Sequence, residues 1–570
     1  MPNGTLYQAL AGAFAAEGVA AHFTLMGDGN MHWVTSLAGD YGARTIHARH
    51  ENCAVAMAMG YAGATRDVGV ASVTMGPGFT QIATSLTSAV RGNVPLVVFA
   101  GDVPTTSRWY HQRFEQPPLT AATGAHHIAV RALDRALECV REAFYVARFE
   151  RRPVVLSVPL DLQKTLVSAR EYVPSSAIIP RLEPQEPDPA ALEAIARTIL
   201  ESEKPIVIAG RGAVLSNARD DIKALADHCG ALLATTLHAR GLFGEHDFSM
   251  GIAGGFSHDA ARALFAECDL VLAFGASLGH DTSDGGTLYP NAQVVQIDVN
   301  PKGLNQGLRV ADIHVEADAR LAARALVDRL SSEATRPGLR TSGTRERIRS
   351  YADDAEFDKE PETVDPRTAA EALNEVIPKD WAIVGASGHS FYFTATQFAG
   401  RSPQDFFSFK DFGEIGSHLS YAIGVAVARD DGRVAVIDGD GSLIMHIQEL
   451  ETVSRHGLRL LVVALNDGAY GAELHKLRKE KRYPEHAAFG RPDFAAIAKA
   501  FGLGGATITD PSQFEDALSS HIRSGKAGMW DIHIDGNVIG PHYRRKHGIE
   551  AATPSAAGGN APRTEADPVG

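Results

Sequence analysis

Two short polar motifs follow two β-rich runs in the C-terminal third of the sequence. The first run, RVAVIDGDGS (433–442), places Asp440 between two glycines, and the second, RLLVVALNDGAYG (459–471), carries Asn466 and Asp467. A segment of helical period, MHIQELETVSRHG, joins them, which predicts one βαβ unit. Because the carboxyl ends of neighbouring parallel strands lie side by side, these polar side chains can converge on one point.

Oxygen ligands gathered at one point suit a hard divalent cation. Mg²⁺ prefers octahedral oxygen coordination and often joins carboxylates to phosphates, while Gly439 and Gly441 allow the backbone to approach a diphosphate closely. Either motif alone is also typical of an ordinary tight turn. Together they predict a site for a diphosphate and a metal ion.

The elements that must position these motifs alternate regularly between strand and helix. β-rich runs such as GVASVTMG and VPLVVFAG alternate with alanine-rich segments of helical period, which predicts parallel sheets covered by helices on both faces. A stretch dense in proline and acid, PRLEPQEPDPAALE (180–193), and a charged stretch without apolar period (331–367) interrupt the pattern. We therefore expect an α/β protein of three doubly wound domains, at 1–178, 190–332 and 366–545, followed by a disordered tail at 551–570.

Composition narrows the classes of function. Lys and Arg number 54 against 68 Asp and Glu, a net charge of −14, and no basic block exceeds HYRRKH (542–547), so we expect no nucleic-acid partner. No apolar run is long enough to span a membrane, and no signal peptide is visible. The four scattered cysteines suit a reducing compartment. These features predict small-molecule chemistry in the cytoplasm.

Three further motifs carry a resemblance to a known family. Together with GDG and ND, the motifs RHENCAVAMAMGYA (49–62), TMGPGFTQ (74–81) and FGEIGSHLSYAIG (412–424) resemble those of thiamine-diphosphate-dependent enzymes of the acetolactate synthase and pyruvate decarboxylase type. The resemblance extends from about Leu6 to Gly540. It implies a pyrimidine-binding, a central Rossmann-like and a diphosphate-binding domain, in that order.

The resemblance implies thiamine diphosphate and Mg²⁺ as cofactors. The family has two asparagines where this chain has Asn466 and Asp467, and the second is the metal ligand. The metal ligands implied are therefore Asp440, Asp467 and the backbone carbonyl of Ala469, with the choice between Asn466 and Asp467 left open. The implied cofactor-binding residues are Gly76, Pro77, Gly413, Ile415, Gly439, Asp440, Gly441, Ser442, Asp467, Ala469, Tyr470 and Gly471.

Glu51 is the implied activating residue. A carboxylic acid that is hydrogen-bonded to the pyrimidine ring favours the imino form of the neighbouring amino group, which can then remove the weakly acidic thiazolium proton. Ile415 would support the bent cofactor, and the Gly413 carbonyl would accept from its amino group. Glu51 could instead be an ordinary helix-start glutamate, and Ile415 a core residue.

The family's active sites lie between subunits. The glutamate comes from one subunit and the diphosphate domain from the other. The resemblance therefore implies at least a homodimer with active sites at the subunit interface, and a tetramer formed as a dimer of dimers.

Four residues bear on the reaction. Asp28 in LMGDGN, Glu473 in NDGAYGAE and His111 in WYHQRFEQ lie where pyruvate decarboxylases carry proton-handling groups, although those enzymes have two adjacent histidines at the last position. The alternatives are a turn aspartate, a helix glutamate and a surface histidine. His389 could relay protons or simply begin a helix. We therefore expect non-oxidative decarboxylation of a 2-oxo acid, with or without carboligation.

The sequence is also compatible with other functions. An acetolactate-synthase-like transferase is the main alternative, although FEQ (114–116) departs from that branch's FQE and GASLGHDTSDG (275–285) lacks its flavin-binding arginine, so we expect no FAD. A 2-hydroxyacyl-CoA lyase-like enzyme is a second alternative, with HYRRKH as a lid over an anionic substrate or else a solvated tail. A non-catalytic binding protein and a nicotinamide enzyme using AGRGAVLS (209–216) are less well supported.

Overall fold

Three parts of the chain each form a six-stranded β-sheet whose strands are all parallel. The structure, a computed structural model, describes residues 4–550. The prediction of three parallel-sheet α/β domains is confirmed. The proposed domain boundaries stay predictions, and the expected disordered tail at 551–570 lies outside the described residues.

The N-terminal sheet places the loop of Asp28, the start of the Glu51 helix and the GPG loop at one edge, because each follows the carboxyl end of a parallel strand. Its strands, in spatial order, are Arg44–His47, Ala21–Thr24, Gly69–Val73, Leu96–Asp102, Val154–Pro159 and His126–Ala129. Its α-helices are Leu6–Ala16, Met31–Gly39, Glu51–Thr65, Pro77–Thr80, Ala83–Gly92, Gln116–Thr123, Ala136–Phe149 and Leu160–Gln163. Strands Gly4–Thr5 and Leu166–Val167 form a separate antiparallel pair.

The central sheet lies between two helix-lined cores. Its strands, in spatial order, are Ser249–Ile252, Leu232–Thr235, Pro205–Ala209, Leu270–Phe274, Gln293–Asp298 and Ile313–Glu316. Its α-helices are Pro189–Glu201, Arg211–Leu215, Arg219–Cys229, Asp259–Glu267, His280–Ser283 and Ala319–Leu330. A small antiparallel pair, Leu304–Asn305 and Leu308–Arg309, extends from it, and the helix Ser342–Arg349 occupies the charged stretch where no helix was predicted.

The C-terminal sheet carries the GDG and ND motifs on two neighbouring strands. Its strands, in spatial order, are Phe406–Ser408, Ala382–Gly385, Val434–Gly439, Leu461–Asn466, Gly528–His533 and Gly504–Ile508. Its α-helices are Pro366–Val376, Phe391–Gln397, His418–Arg429, Asp440–Leu443, Glu449–Arg455, Gly471–Lys479, Phe494–Ala500, Phe514–Ser524 and Pro541–His547. Within residues 4–550, no helix combines the length and the apolar character needed to cross a membrane.

The N- and C-terminal sheets share one hydrophobic core. Helices Glu51–Thr65 and His418–Arg429 pack against each other, and Met57 and Tyr421 are both fully buried between the two sheets. Alternate residues of each strand point to opposite faces, so Val462 faces this shared core while Val463 faces a separate one. The two domains that carry the sequence motifs are therefore held together within one chain.

Because the side chain of His22 is buried, we expect the folded protein to lose stability in acid. Its ring lies edge-on to Trp33, and burial lowers the pKa of His22 to about 3. The pKa of an unfolded histidine is ~6.5. Between pH ~6.5 and the lower pKa of the folded state, His22 is therefore protonated in the unfolded protein but neutral in the folded one. Stability should therefore fall as the pH drops below ~6.5, by about 1.4 kcal/mol per pH unit from this residue.

Replacing His22 by Leu should remove that part of the acid sensitivity. Urea unfolding at pH 7 and at pH 4.5 measures the stability lost on acidification, and we expect a loss about 2–3 kcal/mol smaller in His22→Leu than in the wild type. The control is His486→Leu, whose ring is exposed. Equal losses in His22→Leu and the wild type would contradict the interpretation.

Candidate cofactor site

Asp440 and Asp467 meet at the carboxyl edge of the C-terminal sheet. Asp440 follows strand Val434–Gly439, and Asp467 follows the adjacent strand Leu461–Asn466. The Gly468 N–H donates a 2.7 Å hydrogen bond to Asp440 Oδ2, so the loop that carries Asp467 lies directly on the first carboxylate. Asp440 is only 2% exposed. Asp440 is buried and Asp467 is half-buried, and the two acids lie side by side as the parallel-strand argument predicts.

The electrostatics of this pair favour a bound cation. Burial raises the pKa of Asp440, and the charge of Asp467 raises it further; burial also raises the pKa of Asp467. Two carboxylates that repel each other in a desolvated place are stabilised when a divalent ion lies between them. Both donors are hard oxygens, which Mg²⁺ prefers. The residues present thus fit the ion that the sequence implied.

Asn466 points away from this pair. Its side-chain amide donates to Asp531 Oδ1 at 2.8 Å and to the Pro492 carbonyl at 3.0 Å. Asp467 Oδ1 instead accepts from the Ala469 N–H at 3.2 Å, within the loop that approaches Asp440. Of the two positions that the sequence left open, the geometry supports Asp467 as the metal ligand.

Gly471 leaves room for the Asp467 carboxylate. A Cβ at this position would lie 2.7 Å from Asp467 Oδ2, closer than any unbonded carbon and oxygen can come. In the same loop, the partly exposed ring of Tyr470 contacts the ring of Phe489 at a centroid distance of 5.2 Å. The position of Asp467 therefore depends on a glycine at 471.

Replacing Gly471 by Ala should weaken the Mg²⁺-dependent binding of thiamine diphosphate, because the added methyl displaces Asp467. We expect a loss of about 10–100-fold, the range seen when the support of a metal ligand is disturbed. Isothermal titration measures this affinity. Gly39→Ala, whose added Cβ meets no atom within 4 Å, is the matched control. Wild-type affinity in Gly471→Ala would mean that the Asp467 carboxylate does not depend on Gly471 for its position.

The glycine turn of the GEIG motif is fixed by the loop that follows Asp440. Ser442 Oγ accepts from the Gly416 N–H at 2.8 Å and donates to Asp438 Oδ2 at 2.7 Å, while His446 Nδ1 donates to the Gly416 carbonyl at 2.8 Å. Gly413 is exposed and Ile415 is half-buried. Ile415 is therefore not enclosed in the core and offers an apolar side chain at the edge of the site.

Glu51 begins the helix Glu51–Thr65 and lies beside the GPG loop. It is half-buried, and burial raises the pKa of its carboxyl group. A Cβ at Gly78 would lie 3.1 Å from Glu51 Oε1, so the loop leaves space for the carboxyl group. Gly76 and Pro77 form the turn into the short helix Pro77–Thr80. A raised pKa favours the protonated acid, which can donate a hydrogen bond to a ring nitrogen.

The start of the Glu51 helix contacts the C-terminal domain of the same chain. Asn52 Nδ2 donates to Ser417 Oγ at 3.2 Å, and the Arg49 N–H donates to Glu449 Oε1 at 2.9 Å. Ser417 directly follows the glycine turn, and Glu449 follows the GDG loop. The segments on either side of Glu51 are thus tied to both cofactor-binding motifs of the C-terminal domain.

His389 lies next to Gly471 in the buried part of the site. Its Nε2 accepts from the Gly540 N–H at 3.2 Å, which places the ring proton on Nδ1, close to Gly471. Burial lowers the pKa of His389 to about 3, and the nearby His475 contributes to this shift. His389 is therefore a neutral hydrogen-bond donor through Nδ1 and not a cationic acid at neutral pH.

His475 was not predicted from the sequence as a site residue. Its ring contacts that of His389 at a centroid distance of 4.8 Å, and it is 1% exposed. Neither of its ring nitrogens has a hydrogen-bond partner among the described residues. The only sequence signal for His475 is its position two residues after Glu473 on the helix Gly471–Lys479. Side chains two residues apart on a helix point to nearly opposite sides, so an exposed Glu473 implies a buried His475.

The three residues that suggested a decarboxylase lie apart from the buried site in the single chain. Glu473 is 58% exposed and pairs with Lys476 at 3.4 Å. Asp28 and His111 are exposed on loops of the N-terminal domain. Within the described chain, none of the three has a recorded contact with Asp440 or Asp467.

The HYRRKH cluster is neither a solvated tail nor a free lid. It forms the helix Pro541–His547, in which Arg544 pairs with Asp353 and Arg545 pairs with Asp259 of the central domain. His542 stacks on Tyr392 at 4.4 Å. The charge of the cluster suggested that it is exposed to solvent. The two arginines instead pair with carboxylates elsewhere in the chain. The helix joins the C-terminal and central domains.

Comparison with known families supports the same division of the chain. Residues 4–123 match the thiamine pyrophosphate enzyme N-terminal TPP binding domain, residues 192–326 the central domain, and residues 386–532 the C-terminal TPP binding domain. Thiamine pyrophosphate is another name for thiamine diphosphate. Asp440 and Asp467 thus lie inside the segment that matches the C-terminal TPP binding domain.

Several relatives match most of the chain. The acetolactate synthase large subunit of Parasynechococcus marenigrum is 30% identical over 504 residues, which are 86% of this chain and 80% of the relative. The probable acetolactate synthase large subunit of Methanocaldococcus jannaschii is 27% identical, over 93% of this chain and 91% of the relative. Acetolactate synthase isozyme 2 large subunit of Escherichia coli is 28% identical, over 92% and 94%. The chain therefore belongs to the thiamine-diphosphate-dependent enzymes of the acetolactate synthase and pyruvate decarboxylase type.

Proposed function

We propose that this protein is a thiamine-diphosphate- and Mg²⁺-dependent carboligase of the acetolactate synthase type. It would release CO₂ from one 2-oxo acid and join the remaining acyl unit to the carbonyl carbon of a second. The observation that carries the proposal is the pairing of buried Asp440 with half-buried Asp467, in a chain whose relatives described above are named acetolactate synthases. This function was the alternative in the sequence analysis, where simple decarboxylation came first.

The placement of the decarboxylase-type residues supports the change of order. A residue that protonates the product inside a closed site must lie within hydrogen-bond reach of it. Glu473 is instead exposed and paired with Lys476. If Glu473 keeps this position in the proposed dimer, no buried proton donor lies there, and the acyl unit is available longer to a second carbonyl compound. The same reasoning supports carboligation over aldehyde release.

Each candidate residue has one task in this proposal. Asp440 and Asp467 hold Mg²⁺, and with it the diphosphate group, at the sheet edge. Thiamine diphosphate, when bound there, would supply the carbon nucleophile and the electron sink that decarboxylation of a 2-oxo acid requires. Glu51 donates a hydrogen bond to the pyrimidine ring. Ile415 supports the cofactor, and His389 donates from Nδ1 towards the space beside Gly471.

We further propose a homodimer that closes this site, and a tetramer as a dimer of such dimers. Exposed apolar side chains surround the cofactor edge of the C-terminal domain, namely Phe412, Ile444, Met445, Tyr470 and Phe489. On the N-terminal domain, Trp109 is 77% exposed, close in sequence to His111. Exposed apolar groups gathered in this way mark association surfaces. Sedimentation velocity would show the assembly, and a stable monomer at micromolar concentration would contradict it.

The ratio of CO₂ released to 2-oxo acid consumed separates the two reactions. Carboligation of two 2-oxo acids releases one CO₂ for every two molecules consumed, whereas aldehyde release gives one for each. A panel of 2-oxo acids beginning with pyruvate, with Mg²⁺ and thiamine diphosphate, should give a ratio near one half with at least one member. A ratio of one throughout, with free aldehyde, would favour the decarboxylase. The expectation that FAD is not required is tested by omitting it.

A further inference from the structure

A cluster of three metal-ligating side chains lies at the junction of the N- and C-terminal domains, outside the proposed cofactor site. His50, Cys53 and His446 place one ligand atom each within 4.8 Å of one another. His50 and Cys53 flank Glu51 at the start of its helix, and His446 follows the GDG loop. The proposed function uses none of these three side chains as a ligand.

The His446 ring is oriented for coordination. Its Nδ1 donates to the Gly416 carbonyl at 2.8 Å, so in the neutral ring Nε2 carries the free lone pair. An imidazole whose other nitrogen donates to a backbone carbonyl is the usual arrangement of a metal-bound histidine. His446 is half-buried, which leaves it accessible to an ion from solvent.

His50 contributes the second nitrogen, and its ring contacts that of His446 at a centroid distance of 5.1 Å. His50 Nδ1 accepts from the Asn52 N–H at 3.1 Å and so caps the helix. Coordination through Nε2 moves the ring proton from Nε2 to Nδ1. The cap hydrogen bond is then lost, because Nδ1 can no longer accept.

Cys53 and Glu449 supply the sulfur and a negative charge. Cys53 is fully buried, and the Glu449 carboxylate beside it is buried as well. Glu449 Oε1 accepts from the Arg49 N–H, and Oε2 accepts from Thr452 Oγ1 at 2.7 Å, so the carboxylate is fixed next to the thiol. An incoming divalent ion would displace the thiol proton to solvent, and Glu449 would offset part of its charge.

We propose that His50, Cys53 and His446 bind a borderline-soft divalent cation, for which Zn²⁺ is the best match. Two imidazoles and one thiolate are the donors that Zn²⁺ prefers, and they are poor ligands for Mg²⁺. Ligand atoms of a tetrahedral zinc site lie about 3.3–3.6 Å apart, given metal bonds of about 2.0–2.3 Å. Small side-chain rotations therefore close the present spacing, with water or Glu449 in the fourth position.

The site would inhibit the reaction, and this consequence alone rests on the proposed function. Cation binding joins the two cofactor-binding domains and removes the cap of the helix that begins at Glu51. The Glu51 carboxyl group then loses its fixed position beside Gly78. Zn²⁺ at a concentration that saturates the cluster should reduce turnover at least several-fold.

Co²⁺ is the probe for the site itself, since a cobalt–thiolate bond gives a charge-transfer absorption that oxygen ligands do not give. The chelator-treated full chain, titrated with Co²⁺ in excess Mg²⁺, should develop this band and saturate at one Co²⁺ per chain. Cys53→Ser should lack the band. Cys139→Ser, which removes a half-buried free cysteine elsewhere, should retain it.

A second variant guards against misfolding of Cys53→Ser. His446→Gln keeps a polar side chain at a half-buried position and should weaken Co²⁺ binding at least tenfold while a weaker thiolate band remains. No thiolate band in the wild type, or an unchanged titration in both variants, would overturn the proposal. The band requires neither thiamine diphosphate nor turnover, so failure of the proposed function would leave this result intact.

Discussion

Glu51→Gln is expected to lower turnover by about 10²–10⁴-fold while the affinity for thiamine diphosphate changes by less than about tenfold. The carboxyl group contributes little area to binding but supplies the proton that the pyrimidine ring needs. Burial raises the pKa of Glu51, which keeps that proton available at higher pH than an exposed glutamate would allow. Glutamine has the same shape and fits beside Gly78, so the substitution removes acidity and little else.

Two measurements separate binding from chemistry in this variant. Calorimetric titration with thiamine diphosphate and Mg²⁺ gives the affinity, and hydrogen–deuterium exchange of the thiazolium proton gives the rate of the step that Glu51 serves. Glu138→Gln, an exposed glutamate paired with Arg135, is the control. Wild-type exchange in Glu51→Gln would remove Glu51 from the mechanism, and loss of binding would make its role structural.

The strand pattern was enough to predict the three sheets. Buried central strands such as Leu96–Asp102 and Pro205–Ala209 are continuous apolar runs, which a sheet covered on both faces requires. The edge strand Gly504–Ile508 was not predicted, because one side of an edge strand has no neighbour and its sequence needs less apolar character. Gly504–Ile508, with the sequence GGATI, is half exposed and has no run to detect.

The sequence predicted which motifs meet at the cofactor edge but not which side chain of a pair faces it. Asn466 and Asp467 are adjacent, and successive side chains of a strand point to opposite faces. Whether 466 or 467 faces Asp440 depends on where strand Leu461–Asn466 ends, and the contacts of Asn466 with Asp531 and Pro492 decide it. Such long-range hydrogen bonds leave no local pattern in the sequence.

Contacts between domains were the least predictable part of the molecule. His50 and Cys53 lie in the first domain and His446 in the third, and the sequence contains no spacing that would relate them. The arginines of the helix Pro541–His547 were likewise interpreted from their charge alone. Sequence patterns describe one element or one βαβ unit, whereas these clusters depend on how whole domains pack.

For the branch of the reaction, the relatives back the alternative better than the first expectation, for a related reason. Asp28, His111 and Glu473 have the residue types that a decarboxylase needs. An alignment of sequences compares residue types and carries no information on burial. Their exposure in the chain is a property of packing. The three relatives described above, each named an acetolactate synthase large subunit, favour the alternative function. Resemblance of single residues was therefore weaker evidence than resemblance across the whole chain.

Asp440→Ala is expected to abolish Mg²⁺-dependent retention of thiamine diphosphate, with a loss of affinity above about 100-fold. Disturbing a residue that merely supports a metal ligand costs about 10–100-fold, and removing a charged ligand should cost more. The Gly441 and Gly468 N–H groups would also lose their acceptor, since both donate to this carboxylate. Calorimetric titration measures the loss, and circular dichroism checks the fold.

Asp467→Asn is the matched variant, and it should separate charge from coordination. Asparagine keeps an oxygen ligand, so cofactor affinity should fall by less than about tenfold. Without metal, however, the substitution removes the charge that, after burial, raises the pKa of Asp440. If about 1 kcal/mol of repulsion is relieved, the metal-free protein should melt about 2–4 °C higher than the wild type. A lower melting temperature would mean that the two carboxylates do not repel each other, and a loss of affinity far above tenfold would mean that the charge of Asp467, and not only its oxygen, is needed to hold the ion.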